Sequence, residues 1–244
     1  ALLTTLKGLP SSYDKDLQAG FLKKMNTMID TLYDLSQKSG RPAKPGGPHN
    51  ADPLAVPPGP GKTGFDSDLS KDGIRRDYWN WGEGFISAYT PDAFIMLEKG
   101  ATYGPTNDQI SPPYYTLHKI LAGLLDCYEV GGNPKALEIA EGMGTWTYTR
   151  LKAVPADTRI AMWNRYIAGE YGGMNEVMAR LSRLSDNPDF LACAQLFDNT
   201  KFFFGDAGHS HGLAKNVDTI RTRHANQHIP QIIGVMETYR MSGD

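Results

Sequence analysis

The sequence contains little cysteine, no excess of positive charge and no long apolar run. Only Cys127 and Cys193 occur in 244 residues, which excludes a disulfide-rich scaffold and a zinc site built from four cysteines. The formal charge of -2 predicts no basic surface, so nucleic acid and anionic membranes are poor candidates as partners. No stretch reaches the roughly 18 consecutive apolar residues that a membrane-spanning helix needs. A neutral small molecule is the better candidate ligand.

The first residues of the sequence are not expected to form a targeting segment. The first residues, ALLTTLKGLP, have neither a basic segment nor a cleavage site. The chain starts inside an apolar pattern and stops at Ser-Gly-Asp, a turn sequence that usually connects one helix to the next. We therefore expect these residues to form part of a longer protein.

The N-terminal region predicts one helix followed by an irregular insert. Apolar residues recur every three or four positions over 14–37, with Ser11 or Ser12 as the expected N-cap and Gly40 as the expected end. Residues 41–64 hold seven prolines and five glycines, too many for a helix or a strand. We expect a surface insert over about 41–77.

The insert contains GPGKTG, which is similar to part of a phosphate-binding loop. The full motif requires glycine where Val56 stands, and no apolar strand precedes it. We therefore reject a nucleotide-binding site in this segment.

The second half of the chain repeats itself. YEVGGNPKALEIA (128–140) matches SRLSDNPDFLACA (182–194) at an offset of 54, and YRMSGD (239–244) matches YEVGGN at an offset of 111. A period of about 55 residues predicts helical hairpins that must pack on their neighbours. With no strand alternation, the class is all-α. The long polar return loops favour an (α/α)6-toroid-type barrel, present as an incomplete segment over 1–244, rather than an open solenoid.

Each hairpin begins with a polar cluster: PPYYTLHK (112–119), GEYGGMNEV (169–177) and RHANQHIPQ (223–231). Because equal repeat phase places residues on the same rim, we expect His118, Asn175 and His224 to meet in one polar depression at the helix N-termini. The alternative is that prolines, Asn175 and Glu176 only start and cap helices.

The two histidine pairs of the sequence are not expected to bind a metal ion. His224 and His228 are four residues apart, but Pro230 is expected to start the helix and to leave both histidines ahead of it. His209 and His211 lie between glycines and are interpreted as solvated loop residues. The two cysteines lie in helical apolar patterns and are expected to be buried and reduced.

An aromatic segment around Gly82 and Gly84 has two interpretations. It either presents rings for stacking against a sugar or plugs the core beneath a long loop. Its aromatic residues are Tyr78, Trp79, Trp81, Phe85 and Tyr89. Histidine, amide, carboxylate and phenol groups nearby suit a polyol, whose hydroxyls both donate and accept hydrogen bonds.

At these motifs the sequence resembles glycoside hydrolase family 127 and its relatives, whose characterised members include β-L-arabinofuranosidases. The resemblance rests on PPYYTLHKILAGLLD, GEYGGMNEVMARL, FISAYTPDAF and HANQHIPQIIGVMETYRMSGD, and covers about 79–244. It implies an (α/α)6 barrel followed by β-sandwich domains. It also implies a retaining mechanism with a zinc-bound cysteine thiolate as nucleophile and a glutamate as acid/base.

The family's nucleophile and acid/base lie in a Glu-x-Cys segment and a further cysteine segment, and this sequence contains neither. Cys127 and Cys193 stand in other motifs, so we assign no catalytic residue, and we expect the zinc ligands to lie outside this chain. The resemblance does imply sugar contacts at Tyr115, His118, Asn175, Glu176, His224 and Asn226.

The sequence thus favours a glycoside hydrolase that acts on L-arabinofuranosides or related plant-type glycans. Two alternatives stay open: a helical-repeat scaffold that binds a protein through its loops, and an isomerase or lyase on the same toroid. If the barrel is incomplete, its open edge would also favour self-association.

Overall fold

The computed structural model of the protein describes residues 14–41, 49–55, 81–104, 110–199 and 225–243. Within these ranges the regular structure is helical, with no β-strand, which confirms the all-α class. The α-helices are α1 (Lys15–Ser36), α2 (Pro91–Glu98), α3 (Pro113–Glu129), α4 (Pro134–Ala153), α5 (Ala156–Trp163), α6 (Met174–Ser185), α7 (Pro188–Gln195) and α8 (Ala225–Ser242), and a 3-10 helix covers Pro53–Ala55. None of the helices in these ranges combines the length and apolar character needed to cross a membrane.

The chain forms two compact units. The first comprises 1–57, 77–86 and 119–147, and the second comprises 58–76, 87–118 and 148–244. Much of the Pro/Gly-rich insert, 42–48 and 56–80, lies outside the described residues, so its prediction as a surface insert stays a prediction.

In the first unit, the N-cap of α1 lies three residues after Ser11 and two after Ser12, the two predicted caps. Its N-cap is Asp14, whose carboxylate accepts a hydrogen bond from the Leu17 N–H at 2.9 Å. A carboxylate at this position also complements the helix dipole. Ser11 and Ser12 lie outside the described residues. Gly40, the predicted end, has a φ of 77° shortly after the helix stops.

The aromatic segment of the first unit is part of its core. The Phe85 ring packs 4.6 Å from the Trp146 ring, centroid to centroid, and the Trp146 indole N–H donates to the Trp81 carbonyl at 3.0 Å. A β-carbon on Gly84 would overlap the Gly142 carbonyl, so this segment crosses α4 at backbone contact. For Phe85, which is buried, the core-plug interpretation is therefore confirmed; Trp81 and Tyr89 are partly exposed, and Tyr78 and Trp79 lie outside the described residues.

The repeat corresponds to matching helical turns, as the sequence predicts. The helix pair α3–α4 is joined at 130–133 and the pair α6–α7 at 186–187. Asn133 and Asn187 begin the second helix of each pair in the same way. Each side-chain oxygen accepts from the backbone N–H two residues later, Lys135 at 3.1 Å and Asp189 at 3.0 Å. Equal turn chemistry at an offset of 54 explains the self-similarity.

The second unit is built on an aromatic core beneath α6. The rings of Tyr114 and Trp163 meet edge-on at 5.3 Å, and Trp163 also stacks on Phe197 at 5.1 Å. The Tyr171 hydroxyl donates to the Phe197 carbonyl at 2.9 Å and ties the entry of α6 to the segment that follows α7. This core supports the residues just before α6, which carry the polar cluster.

The start of α8 differs from the prediction. The helix begins at Ala225, five residues before Pro230, so the expectation that the helix starts at Pro230 was wrong. Proline lacks an N–H, and in the sixth position of a helix it removes one backbone hydrogen bond. Helix α8 packs against α6 and α7, and its buried residues Gln227, His228, Gln231 and Gly234 form one face at helical spacing. This packing outweighs the missing bond.

Candidate active site

Two glycines allow the entry of α6 to pack closely against His118. Gly172 has a left-handed φ of 57°, and a β-carbon there would lie 2.7 Å from Nδ1 of His118. A β-carbon on Gly173 would lie 2.9 Å from Nε2 of the same ring. The imidazole of His118 is only 6% exposed. Only residues without side chains allow this approach, so Gly172 and Gly173 determine where the histidine sits.

Two further predicted residues lie at the same glycines. The Cδ2 atom of Tyr115 would be 3.2 Å from a β-carbon on Gly172, and Oε2 of Glu176 would be 3.2 Å from one on Gly173. Tyr115 and Glu176 are partly exposed. An imidazole, a carboxylate and a tyrosine ring therefore lie at the entry of α6, where backbone N–H groups and the helix dipole favour electron-rich ligand groups.

Asn175 connects this group to α8. Its side chain is 3% exposed, and Nδ2 donates to the Gln231 carbonyl at 3.0 Å. Its Oδ1 accepts from the Glu176 N–H at 3.1 Å. A β-carbon on Gly234 would overlap the Asn175 amide, so α8 leaves space for that side chain. The structure therefore uses the amide of Asn175 between two helices, whereas its sugar contact stays a prediction.

Three buried polar residues on α8 were not among the residues predicted for the site. Gln227, His228 and Gln231 are each 1% exposed or less. The side chain of Gln231 accepts from Asn199 Nδ2 at 3.3 Å. Helical periodicity, extended back from Gly234 through 231 and 227, would have placed the two glutamines on the buried face. A helix that starts at Pro230 leaves out Gln227 and His228, which is why the sequence prediction did not place them on that face.

Of the remaining predicted residues, Asn226 is described and His224 is not. Asn226 is exposed in the first turn of the helix. His224 lies outside the described residues, as do His209 and His211. His118 contacts Gly173, whereas the Asn175 amide lies against Gly234, and the shared-rim hypothesis for His118, Asn175 and His224 stays a prediction.

Neither cysteine is suited to act as a thiolate. Burial raises the pKa of Cys127 from its usual 9.0 to about 11, and Asp126 adds to the rise. Burial also raises the pKa of the Cys193 thiol, which is fully inside the second unit. In the described ranges no three His, Cys, Asp or Glu side chains form a group that could hold a metal ion. The described residues therefore do not fit the zinc-thiolate centre that the family resemblance implies.

A family model described as beta-L-arabinofuranosidase, GH127 catalytic domain, matches residues 77–244. The chain belongs to this family. It is a glycoside hydrolase, and its helices agree with the (α/α) barrel of GH127 enzymes. The match begins just before the Trp81–Phe85 segment and includes all three polar clusters. A search of curated proteins gives no significant match.

Membership in the GH127 family gives the polar group around Gly172 and Gly173 a chemical context. The substrate class is carbohydrate, and arabinofuranosides are the general class that the family acts on. Buried His118 next to the partly exposed carboxylate of Glu176 provides donors and acceptors for hydroxyl groups.

Proposed function

We propose that this chain is the sugar-binding part of a GH127 hydrolase that removes L-arabinofuranose from plant-type glycans. In this proposal Tyr115, His118 and Glu176 contact the sugar from the entry of α6, and Asn226 and His224 contact it from the start of α8. The observation that carries the proposal is the packing of His118 on Gly172 and Gly173 beside the Glu176 carboxylate.

The chemistry of these groups suits a neutral sugar. A hydroxyl donates one hydrogen bond and accepts others, and a carboxylate, an imidazole and a phenol together provide both partners. A phosphate ligand would instead call for several arginine or lysine side chains. The polar clusters supply only exposed Lys119 and Arg223, the latter outside the described residues.

In this proposal bond cleavage requires groups beyond these residues. A retaining mechanism needs a nucleophile and an acid/base, and both thiols of the chain are held protonated by burial. We therefore place the thiolate, its zinc and the acid/base outside these 244 residues. The present residues bind the arabinofuranose ring and orient it.

The test measures hydrolysis of p-nitrophenyl β-L-arabinofuranoside by the full-length protein. His118→Gln and Glu176→Gln should each lower kcat/KM by about 10- to 100-fold, since a hydrogen bond to a charged group contributes roughly 1.5–3 kcal/mol. His224→Ala should lower turnover far more than the thermal midpoint. Matched controls are exposed His49→Gln and Glu138→Gln on α4, which should leave kcat/KM unchanged.

Two outcomes would contradict the proposal. Equal kinetic constants for His118→Gln, Glu176→Gln and wild type would favour a structural role for the polar group. Turnover by the 244-residue chain alone, abolished by Glu170→Gln or Glu176→Gln, would show that the catalytic groups lie within this chain.

A further inference from the structure

The two segments proposed to bind sugar belong to different helices and need a fixed separation. Glu176 is in the first turn of α6, and Asn226 is in the first turn of α8. In the described ranges, the contact between α6 and α8 near these turns includes the side chain of Asn175. The position of that side chain therefore affects the distance between the two groups.

The first turn of α8 depends on support from outside the helix. Pro230 has no N–H, so it cannot donate to the carbonyl four residues earlier, as an ordinary helical residue would. The Nδ2 atom of Asn175 donates to the carbonyl of Gln231, directly after the proline. Asn199 holds the Gln231 side chain at the same place. Two hydrogen bonds from other segments thus reach α8 directly after the position at which one internal bond is missing.

The same amide is bonded to the backbone of the other sugar-binding segment. Oδ1 of Asn175 accepts from the Glu176 N–H, while Nδ2 is bonded to α8. Gly234 leaves the space into which the amide fits, because any β-carbon there would overlap it. Polar complementarity at 231 and steric complementarity at 234 together fix how α8 lies along α6.

We infer that Asn175 is a positioning residue, which through Gly234 and Gln231 fixes the first turn of α8 relative to Glu176 and so sets the geometry of the sugar site. The inference rests on the proposed function. It gives Asn175 an indirect role in place of a direct sugar contact. It gives the same positioning role to Gly234, which has no side chain that could bind a sugar hydroxyl.

The first test compares kcat/KM of the full-length protein with Asn175→Asp, Gly234→Ala and Gly123→Ala. Aspartate keeps the shape and the acceptor but cannot donate to Gln231, and alanine at 234 displaces the amide. Both should lower kcat/KM on the order of 100-fold at temperatures where each variant is folded, as a misplaced site residue does. Gly123→Ala is the matched control, since Gly123 lies in α3 with open space around it, and it should leave kcat/KM unchanged.

A double variant separates positioning from direct contact. If Asn175 acts through Gly234, Asn175→Ala with Gly234→Ala should be no worse than Asn175→Ala alone, because the added methyl group has nothing left to displace. A loss with Asn175→Asp but none with Gly234→Ala would overturn the inference in favour of direct sugar contact. Lower thermal midpoints with unchanged kcat/KM would overturn it in favour of stability alone.

A second measurement does not depend on activity. His228 is buried in the first turn of α8, so its imidazole NMR signals report the position of that turn. The signals should shift in Asn175→Asp and Gly234→Ala and stay in place in Gly123→Ala. If the wild-type protein hydrolyses no arabinofuranoside, the proposed function fails, and these signals still decide whether Asn175 positions α8. Unchanged His228 signals in both variants would overturn the inference.

Discussion

Gly172 meets two separate requirements, a left-handed backbone and contact with a histidine ring, and mutation can separate them. An alanine at a left-handed position costs about 1–2 kcal/mol whatever its surroundings. At Gly172 the methyl group would also press on Nδ1 of His118 and on the Tyr115 ring. Gly132, with a φ of 68° and open space around it, has only the backbone requirement.

We therefore expect Gly172→Ala to lower both the thermal midpoint and kcat/KM, and Gly132→Ala to lower the midpoint alone. Thermal unfolding and hydrolysis of p-nitrophenyl β-L-arabinofuranoside by the full-length variants provide the measurement. If the two variants lose equal stability and both keep full activity, then His118 tolerates displacement and the contact with Gly172 does not define the site.

Burial of Cys127 predicts a pH dependence of stability. Its folded pKa of about 11 exceeds the usual 9.0, so the folded state holds the proton more tightly than the unfolded state. The associated stability is complete below pH 9 and is lost as the pH rises towards 11. The free energy of unfolding of Cys127→Ala should decline less over this interval than that of wild type. Parallel curves would show that the thiol is not shielded from water in solution.

At the scale of helices, the sequence pattern predicted the turns and helices that depend only on residues close together in the chain. The turns at 130–133 and 186–187 follow from Asn-Pro signals that act within a few residues, and α1 follows from its apolar spacing. The same local reasoning failed at Pro230, where contacts 56 residues away in sequence, from Asn175 to Gln231, stabilise a helix around the proline. Proline as a helix start is a local preference, and tertiary packing outweighs it here.

The site was predictable to the extent that glycine and polar motifs identify it. GGMNE and YYTLHK contain the residues that meet at Gly172 and Gly173. The separate role of each residue could not be predicted. Whether Asn175 faces a sugar or a neighbouring helix depends on the space left by Gly234, which is a long-range contact. Likewise, Phe85 lies in a segment with the composition of a stacking platform, and only its packing against the Trp146 ring shows that it belongs to the core.

At the scale of the whole molecule, α8 presents a contiguous apolar surface to solvent. Ile229, Ile233 and Met236 are 54%, 52% and 57% exposed, Ile232 is partly exposed, and the residues follow helical spacing. The sequence predicts this stripe, since these four residues share one side of α8. Apolar surface of this kind drives association when nothing else covers it.

The 244-residue chain on its own should therefore self-associate through this side of α8. Ile233→Lys should shift sedimentation or light scattering towards the monomer, because a charged side chain cannot be buried in an apolar contact without a large cost. The matched control is Leu54→Lys, at a leucine that is 50% exposed on the short 3-10 helix of the first unit. If both variants associate as wild type does, the contact lies elsewhere. If both become monomeric, added charge alone prevents association, and the α8 surface has no special role.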